Sequence, residues 1–157
     1  MVVLNVTNFR AAYPSAYRSV AEARRAVGVF AKSCGFAMPD ISDIVLAVGE
    51  ACSNAVEHGH VERARFVVTC DFADPVLRIE VRDTGAGFGT ETPLGCGALS
   101  EFVGRGRGIQ IMRALMDAVT YRCNGSGTTA VLEKRLSACG VEKASGESYG
   151  IDSRGSG

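Results

Sequence analysis

Two short-turn hairpins limit what this chain can fold into. Arg65 to Phe72 is a β-branched and aromatic run, Asp74-Pro75 is a turn dipeptide, and Val76-Leu77-Arg78-Ile79-Glu80-Val81 then alternates apolar and polar residues as far as Arg82. Val119 to Cys123 and Thr128 to Arg135 repeat the arrangement across Asn124-Gly125, a dipeptide suited to the positive φ angles of a tight hairpin turn. Strands joined so closely must pair antiparallel, because a parallel pair needs a long crossover. A dinucleotide-binding domain would require strict strand-helix alternation with Gly-x-Gly-x-x-Gly at the first turn. A P-loop kinase would require a Gly-rich loop ending in Lys-Ser or Lys-Thr. Neither pattern is present.

The remaining elements fall around these hairpins. Val2-Val3-Leu4-Asn5-Val6 reads as a short first strand at a sheet edge. Pro14-Ser15 opens a helix with Tyr17, Val20, Ala21, Ala23, Val27 and Phe30 on its apolar face, ending at Gly35. Asp40 or Ser42 can cap a second helix that runs to Gly59, and Gly108 to Asp117 has the apolar spacing of a third. Helices and hairpins are thus segregated along the chain. That order predicts an α+β two-layer sandwich, a mixed and mostly antiparallel sheet with helices on one face. One domain is expected over residues 1–136, followed by a Gly/Ser-rich, disordered tail over 137–157.

Composition narrows the function. At 157 residues with zero formal net charge, the chain lacks the bulk positive charge of a nucleic-acid binder. No apolar run approaches the ~18 residues of a membrane span, and the N-terminus lacks a signal pattern. Cys34, Cys52, Cys70, Cys96, Cys123 and Cys139 show no C-x-x-C spacing, and several sit at apolar positions. Reduced thiols in a cytoplasmic protein are expected, without a zinc site.

Three motifs carry the chemistry. On the second helix, Glu50, Asn54 and His58 recur at steps of four and span about 80° of circumference, opposite Ile41, Ile44, Val48, Cys52 and Ala55. Taken alone, this stripe reads as a solvated face, an interpretation that Glu57 favours. If it lines a cavity instead, the carboxylate can accept a proton and the amide oxygen can hold a hydrated Mg²⁺ bridging phosphates. Asp83-Thr84-Gly85-Ala86-Gly87 ends a strand. Asp83 is either a turn former or an acceptor for an exocyclic amine such as adenine N6, with Gly85 and Gly87 letting a base lie against backbone. Gly104-Arg105-Gly106-Arg107-Gly108 opens the third helix. It is either a flexible linker or a phosphate cradle of unsatisfied helix N–H groups with arginine charge beside it.

The order of these motifs is more specific than any one of them. Glu50-Ala51-Cys52-Ser53-Asn54-Ala55, Asp83-Thr84-Gly85-Ala86-Gly87, Gly104-Arg105-Gly106-Arg107-Gly108 and Gly127-Thr128-Thr129 resemble the N, G1, G2 and final Gly-Thr boxes of the GHKL ATPases, which have the Bergerat fold. Within that superfamily the small size, the two N-terminal helices and Glu50-x-x-x-Asn54-x-x-x-His58-Gly59 resemble bacterial anti-sigma-factor serine kinases of the partner-switching type. The resemblance covers roughly residues 2 to 136. It implies that Asn54 ligates Mg²⁺, that Asp83 reads adenine, and that Thr128 supports the adenine contact through water. Glu50 would be the base for a substrate serine, and His58 would lie near the phosphates. Residues 88–103 would form a lid over ATP. Such kinases carry a γ-phosphate arginine one position before Arg105, where this chain has Gly104, so Arg105 is a displaced candidate.

The function implied is an ATP-dependent protein serine kinase and anti-sigma factor. It would bind a sigma factor, phosphorylate an antagonist protein, and form a homodimer near the N-terminal strand and helices. The alternative is a non-catalytic ATP-binding module whose nucleotide state gates partner binding. A detached ATP-binding half of a histidine kinase is a third reading. It is disfavoured because His58 and His60 both lie at the end of the nucleotide-site helix.

Overall fold

The computed structural model describes residues 7–58, 64–83, 107–124 and 127–138. Along the chain these form β1 (Asn8–Pro14), α1 (Tyr17–Ser33), α2 (Met38–His58), β2 (Arg65–Ala73), β3 (Val76–Asp83), α3 (Arg107–Leu115), β4 (Ala118–Asn124) and β5 (Gly127–Arg135). The five strands make one sheet in the order β1-β2-β3-β5-β4. Every pairing among the described residues is antiparallel, in line with the mostly antiparallel sheet expected. The first hairpin lies where its turn dipeptide puts it, with Ala73 paired to Val76. In the second, Asn124 is a strand residue paired to Gly127, so the ladder closes one residue later than an Asn124-Gly125 turn would set it.

The edge strand beside β2 is one the sequence did not announce. Val2 to Val6 lies outside the described residues, and the strand that pairs with β2 is Asn8–Pro14, from Asn8 opposite Asp71 to Pro14 opposite Arg65. Aromatic packing holds it there. Phe9 meets Phe30 of α1 with ring centroids 6.2 Å apart, and Tyr13 stacks on Phe66 at 5.4 Å. Pro14 fits because it ends a strand at the sheet edge.

One face of the sheet is covered by α1 and α2. Val20, Ala23, Val27 and Phe30 of α1 are buried there with Ile41, Ile44, Val48, Cys52 and Ala55 of α2, over Phe66, Val68, Cys70, Leu77, Ile79, Val81 and Leu132. Fully burying each large aliphatic side chain contributes about 1.5–3 kcal/mol. The α1–α2 connection is set by Gly35, whose φ of +95° permits the reversal. Its N–H donates to Lys32 O and that of Phe36 to Ala31 O, the paired bonds of a Schellman motif. Phe36 then enters the core edge-on to Phe72.

Lys134 fixes how the helices sit on the sheet. Its ammonium donates to Leu115 O at 2.6 Å, at the carbonyl end of α3, and to Asp43 Oδ2 of α2 at 3.2 Å. The opposite sheet face carries a charged cluster in which Arg78 pairs with Glu80 and Glu133.

Cys34, Cys52 and Cys70 are free thiols. Cys123 is disulfide-bonded, contrary to the expectation that all six thiols are reduced. Spacing along the chain does not report which thiols a fold brings together. Among the described residues no helix is long and apolar enough to cross a membrane. The expected tail lies outside the described residues from 139 onward.

Candidate nucleotide site

The polar stripe of α2 is not a plain solvent face. Glu50 and Asn54 are both half-buried, and the start of α3 lies against them. A Cβ built on Gly108 would stand 2.9 Å from Glu50 Oε2 and 3.8 Å from Asn54 Nδ2. Glycine at 108 therefore leaves the Glu50 carboxylate room beside the first turn of α3. The apolar residues opposite the stripe are the buried ones, as the helical period requires. His58 is the last residue of α2. Arg107, the first residue of α3, is exposed.

A second cluster forms at the end of the central strand. Asp83 closes β3 and is buried, on the same face as Leu77, Ile79 and Val81. The Thr128 backbone N–H donates to its Oδ1 at 3.2 Å. Gly127 makes this approach possible. Its φ is +149°, and a Cβ there would lie 2.5 Å from Asp83 O and 2.8 Å from Asp83 Oδ1. Any side chain would separate the two strands at the point where the carboxylate is held. Sequence reading took Gly127 only as part of the final Gly-Thr motif and assigned it no role of its own.

Tyr121 links the clusters, and sequence reading missed it. It pairs with Ala130 across β4–β5, and Ala130 pairs with Val81, which puts all three in one row of the helix-covered face. Asp83 and Thr128 lie in the next row on that face, about 7 Å further along the strands. The Tyr121 hydroxyl donates to Met112 Sδ at 3.9 Å, with the Asn54 side chain nearby. Burial raises its pKa above the ordinary tyrosine value, and the Asn54 amide and the charge of Arg113 oppose that rise. A tyrosine in an alternating strand looks like an ordinary core residue, so no local signal marks it.

The arrangement offers a carboxylate and an amide beside a helix start, with a buried carboxylate at a neighbouring strand end. Gly85, Gly87, Gly104, Arg105, Gly106 and the lid lie outside the described residues. Among the described residues no cluster of three or more His, Cys, Asp or Glu side chains is placed to hold a metal ion. A metal here would rest on a single amide oxygen and on ligand phosphates and water. Mg²⁺ accepts that donor set, since it keeps most of its waters and needs few protein oxygens.

Comparison with known proteins decides the family. Residues 13–134 match the model of the histidine kinase-like ATPase domain. The chain belongs to that family. The serine-protein kinase RsbW of Bacillus subtilis is 32% identical over 117 residues, covering 68% of this chain and 71% of that protein. The anti-sigma F factor of Clostridium acetobutylicum is 30% identical over 120 residues, covering 73% of this chain and 83% of its own length. A crystal structure of the RsbU and RsbW domains of a Mycobacterium tuberculosis protein superposes with a TM-score of 0.62 at 24% identity. The match covers 82% of this chain and 32% of that longer one, and it shows the shared fold. A histidine kinase-like ATPase uses ATP, and the α2 stripe, Asp83 and Thr128 stand at the motifs by which the sequence resembled such a protein.

Proposed function

We propose that this protein is an ATP-dependent serine kinase and anti-sigma factor that works by partner switching. It binds a sigma factor and, with Mg²⁺ and ATP, phosphorylates a serine of an antagonist protein, which changes who holds the sigma factor. The observation that carries the reading is the half-buried Glu50 carboxylate against the first turn of α3, four residues before Asn54, in a chain whose relatives include named serine kinases and an anti-sigma factor. A protein that only binds nucleotide has no use for a proton acceptor there.

In this account Asp83 accepts from adenine N6, supported by Thr128, while Gly85 and Gly87 let the base approach. Asn54 would hold Mg²⁺, which would supply charge neutralisation at the phosphates. The N–H groups of Gly104, Gly106 and Gly108, with Arg105, Arg107 and His58, would serve the phosphates, as the motif resemblance implies. The substrate serine oxygen attacks the γ-phosphorus, the bond to the β–γ bridging oxygen breaks, and ADP leaves. Glu50 takes the hydroxyl proton. Catalysis is mostly positioning and charge stabilisation. The partners place the protein in the cytoplasm. A homodimer built at the β1 edge and the N-terminal helices is consistent with exposed Tyr17, Val29, Met38 and Leu46 on α1 and α2.

The test is incubation with γ-labelled ATP, Mg²⁺ and candidate antagonist proteins, followed by phosphoamino-acid analysis. Label on serine of one antagonist, together with a nucleotide-dependent change in sigma binding, is expected. Absence of transfer to every partner, with ATP still altering partner affinity, would make the protein a nucleotide-gated binding module instead.

A further inference from the structure

The helices α2 and α3 meet at the site, and a charged contact pins them to each other two turns away from it. Asp43 and Glu50 of α2 are seven residues apart, so they share one face at a separation of about 10.5 Å along the axis. Leu115 and Gly108 of α3 are separated by the same interval. Gly108 borders the Glu50 carboxylate, while Lys134 Nζ bridges Leu115 O at 2.6 Å and Asp43 Oδ2 at 3.2 Å. The helices therefore run antiparallel and are matched at two points, one at the site and one at the pin.

Apolar packing alone does not fix α3 along its own axis. Met112 and Met116 are buried beneath it, but such contact has no direction. Lys134 supplies the direction. Its side chain is only 12% exposed, and Asp40 Oδ1 lies 3.8 Å from its ammonium beside the Asp43 contact. An ammonium held this deep needs those acceptors, so α2 sets its place, and through Leu115 O it sets the last turn of α3. The Asp117 N–H donates to Glu133 O at 2.9 Å and ties the chain beyond α3 to β5, without a link to α2. A short helix moves as a rigid element, so a shift at Leu115 reaches Gly108.

We propose that Lys134 is a positioning residue for phosphoryl transfer. From the far end of α3 it sets the spacing between Gly108 and Glu50, and so the aim of the carboxylate. The proposal rests on the reading of Glu50 as the proton acceptor.

The experiment compares wild type, Lys134→Met, Gly108→Ala and the double variant. Lys134→Met keeps an unbranched stem and removes the ammonium. Label transfer to the antagonist at saturating Mg²⁺ and ATP, ATP affinity by calorimetry, and hydrogen exchange over residues 107–115 are each read per folded molecule. Lys134→Met should slow transfer by about 10- to 100-fold. ATP affinity should fall by no more than about three-fold, because Asp83 and Asn54 are untouched. Exchange in α3 should quicken while that of β3 stays as in wild type. In Gly108→Ala the carboxylate is already displaced, so adding Lys134→Met should slow transfer far less than it does alone. Independent sites this far apart would instead show additive effects. If Lys134→Met does not fold, Asp43→Asn removes the charge that holds the ammonium and should move the same readouts the same way by less. Unchanged exchange over 107–115, equal losses of transfer and ATP affinity, or additivity in the double variant would reduce Lys134 to a residue that only stabilises the fold. Faster exchange with transfer at the wild-type rate would overturn the proposal and leave the kinase reading intact. If wild type transfers no label, or Glu50→Gln transfers it at the wild-type rate, the reading of Glu50 fails and this proposal fails with it.

Discussion

The backbone N–H of Thr128 donates to Oδ1 of Asp83 at 3.2 Å, tying the end of the central strand to the start of its neighbour. This bond determines what an amide at position 83 would do. In Asp83→Asn the Thr128 bond selects the orientation with Oδ1 inward, so Nδ2 faces the adenine amino group and two donors oppose each other. Leaving buried donors unpaired costs about 1–3 kcal/mol. ATP affinity by calorimetry should therefore fall by about 5- to 150-fold while the thermal midpoint changes little. Unchanged affinity would remove Asp83 from the adenine contact.

Gly127→Ala attacks the same place through the backbone. The added Cβ would stand 2.5 Å from Asp83 O, and φ at 127 is +149°. Backbone does not yield as a flexible side chain does, so β3 and β5 must separate locally. A loss of about 1–3 kcal/mol in urea unfolding, with ATP affinity lost in parallel, is expected. A variant as stable as wild type would show that the strand ends tolerate a side chain there.

Gly108→Ala separates stability from activity. The new Cβ meets Glu50 Oε2 at 2.9 Å, which is the far end of a flexible side chain, so Glu50 moves and the helix does not. Alanine also suits a helix better than glycine, by about 0.5–1 kcal/mol. The variant should unfold at equal or higher urea and transfer phosphate more slowly than wild type. Full activity would mean that the position of Glu50 is not critical.

How far the sequence went differs by element. Both hairpins were legible because Asp74-Pro75 and Asn124-Gly125 are local turn chemistry, although the second ladder closes one residue later than its dipeptide would set it. The first strand was not. Val2 to Val6 has the higher β-propensity, but what makes Asn8–Pro14 a strand is its ladder to β2 and the aromatic contacts of Phe9 and Tyr13, which are tertiary. The Glu50–Asn54 stripe was ambiguous by periodicity alone, and resemblance gave it a role. The structure adds the approach of Gly108, which a solvent face would lack. Tyr121 was invisible because its partner Met112 comes from another element.

Alkaline pH should destabilise the fold through two core thiols. Cys52 and Cys70 are fully buried, and burial pushes both up to about 12 from an ordinary 9.0. A group whose folded pKa is raised contributes its full stability below the unfolded pKa and loses it as pH rises toward the folded one. The window is therefore about pH 9 to 12, with a slope approaching 1.4 kcal/mol per pH unit for each thiol. Urea unfolding at pH 8, 9, 10 and 10.5 should show stability falling above pH 9. The fall should be shallower in the Cys52→Ala, Cys70→Ala double variant. Parallel pH curves for the two proteins would show that other groups cause the loss.

The account stands or falls on Glu50 as the proton acceptor for phosphoryl transfer. Glu50→Gln preserves volume and helix propensity but cannot take a proton. The decisive measurement is the rate of label transfer from ATP to the antagonist serine, alongside nucleotide and sigma affinity, in wild type and this variant. We predict a fall of about 10²- to 10⁴-fold in transfer, the usual general-base contribution, with both affinities within a few-fold of wild type. Transfer at the wild-type rate in Glu50→Gln would contradict the mechanism outright.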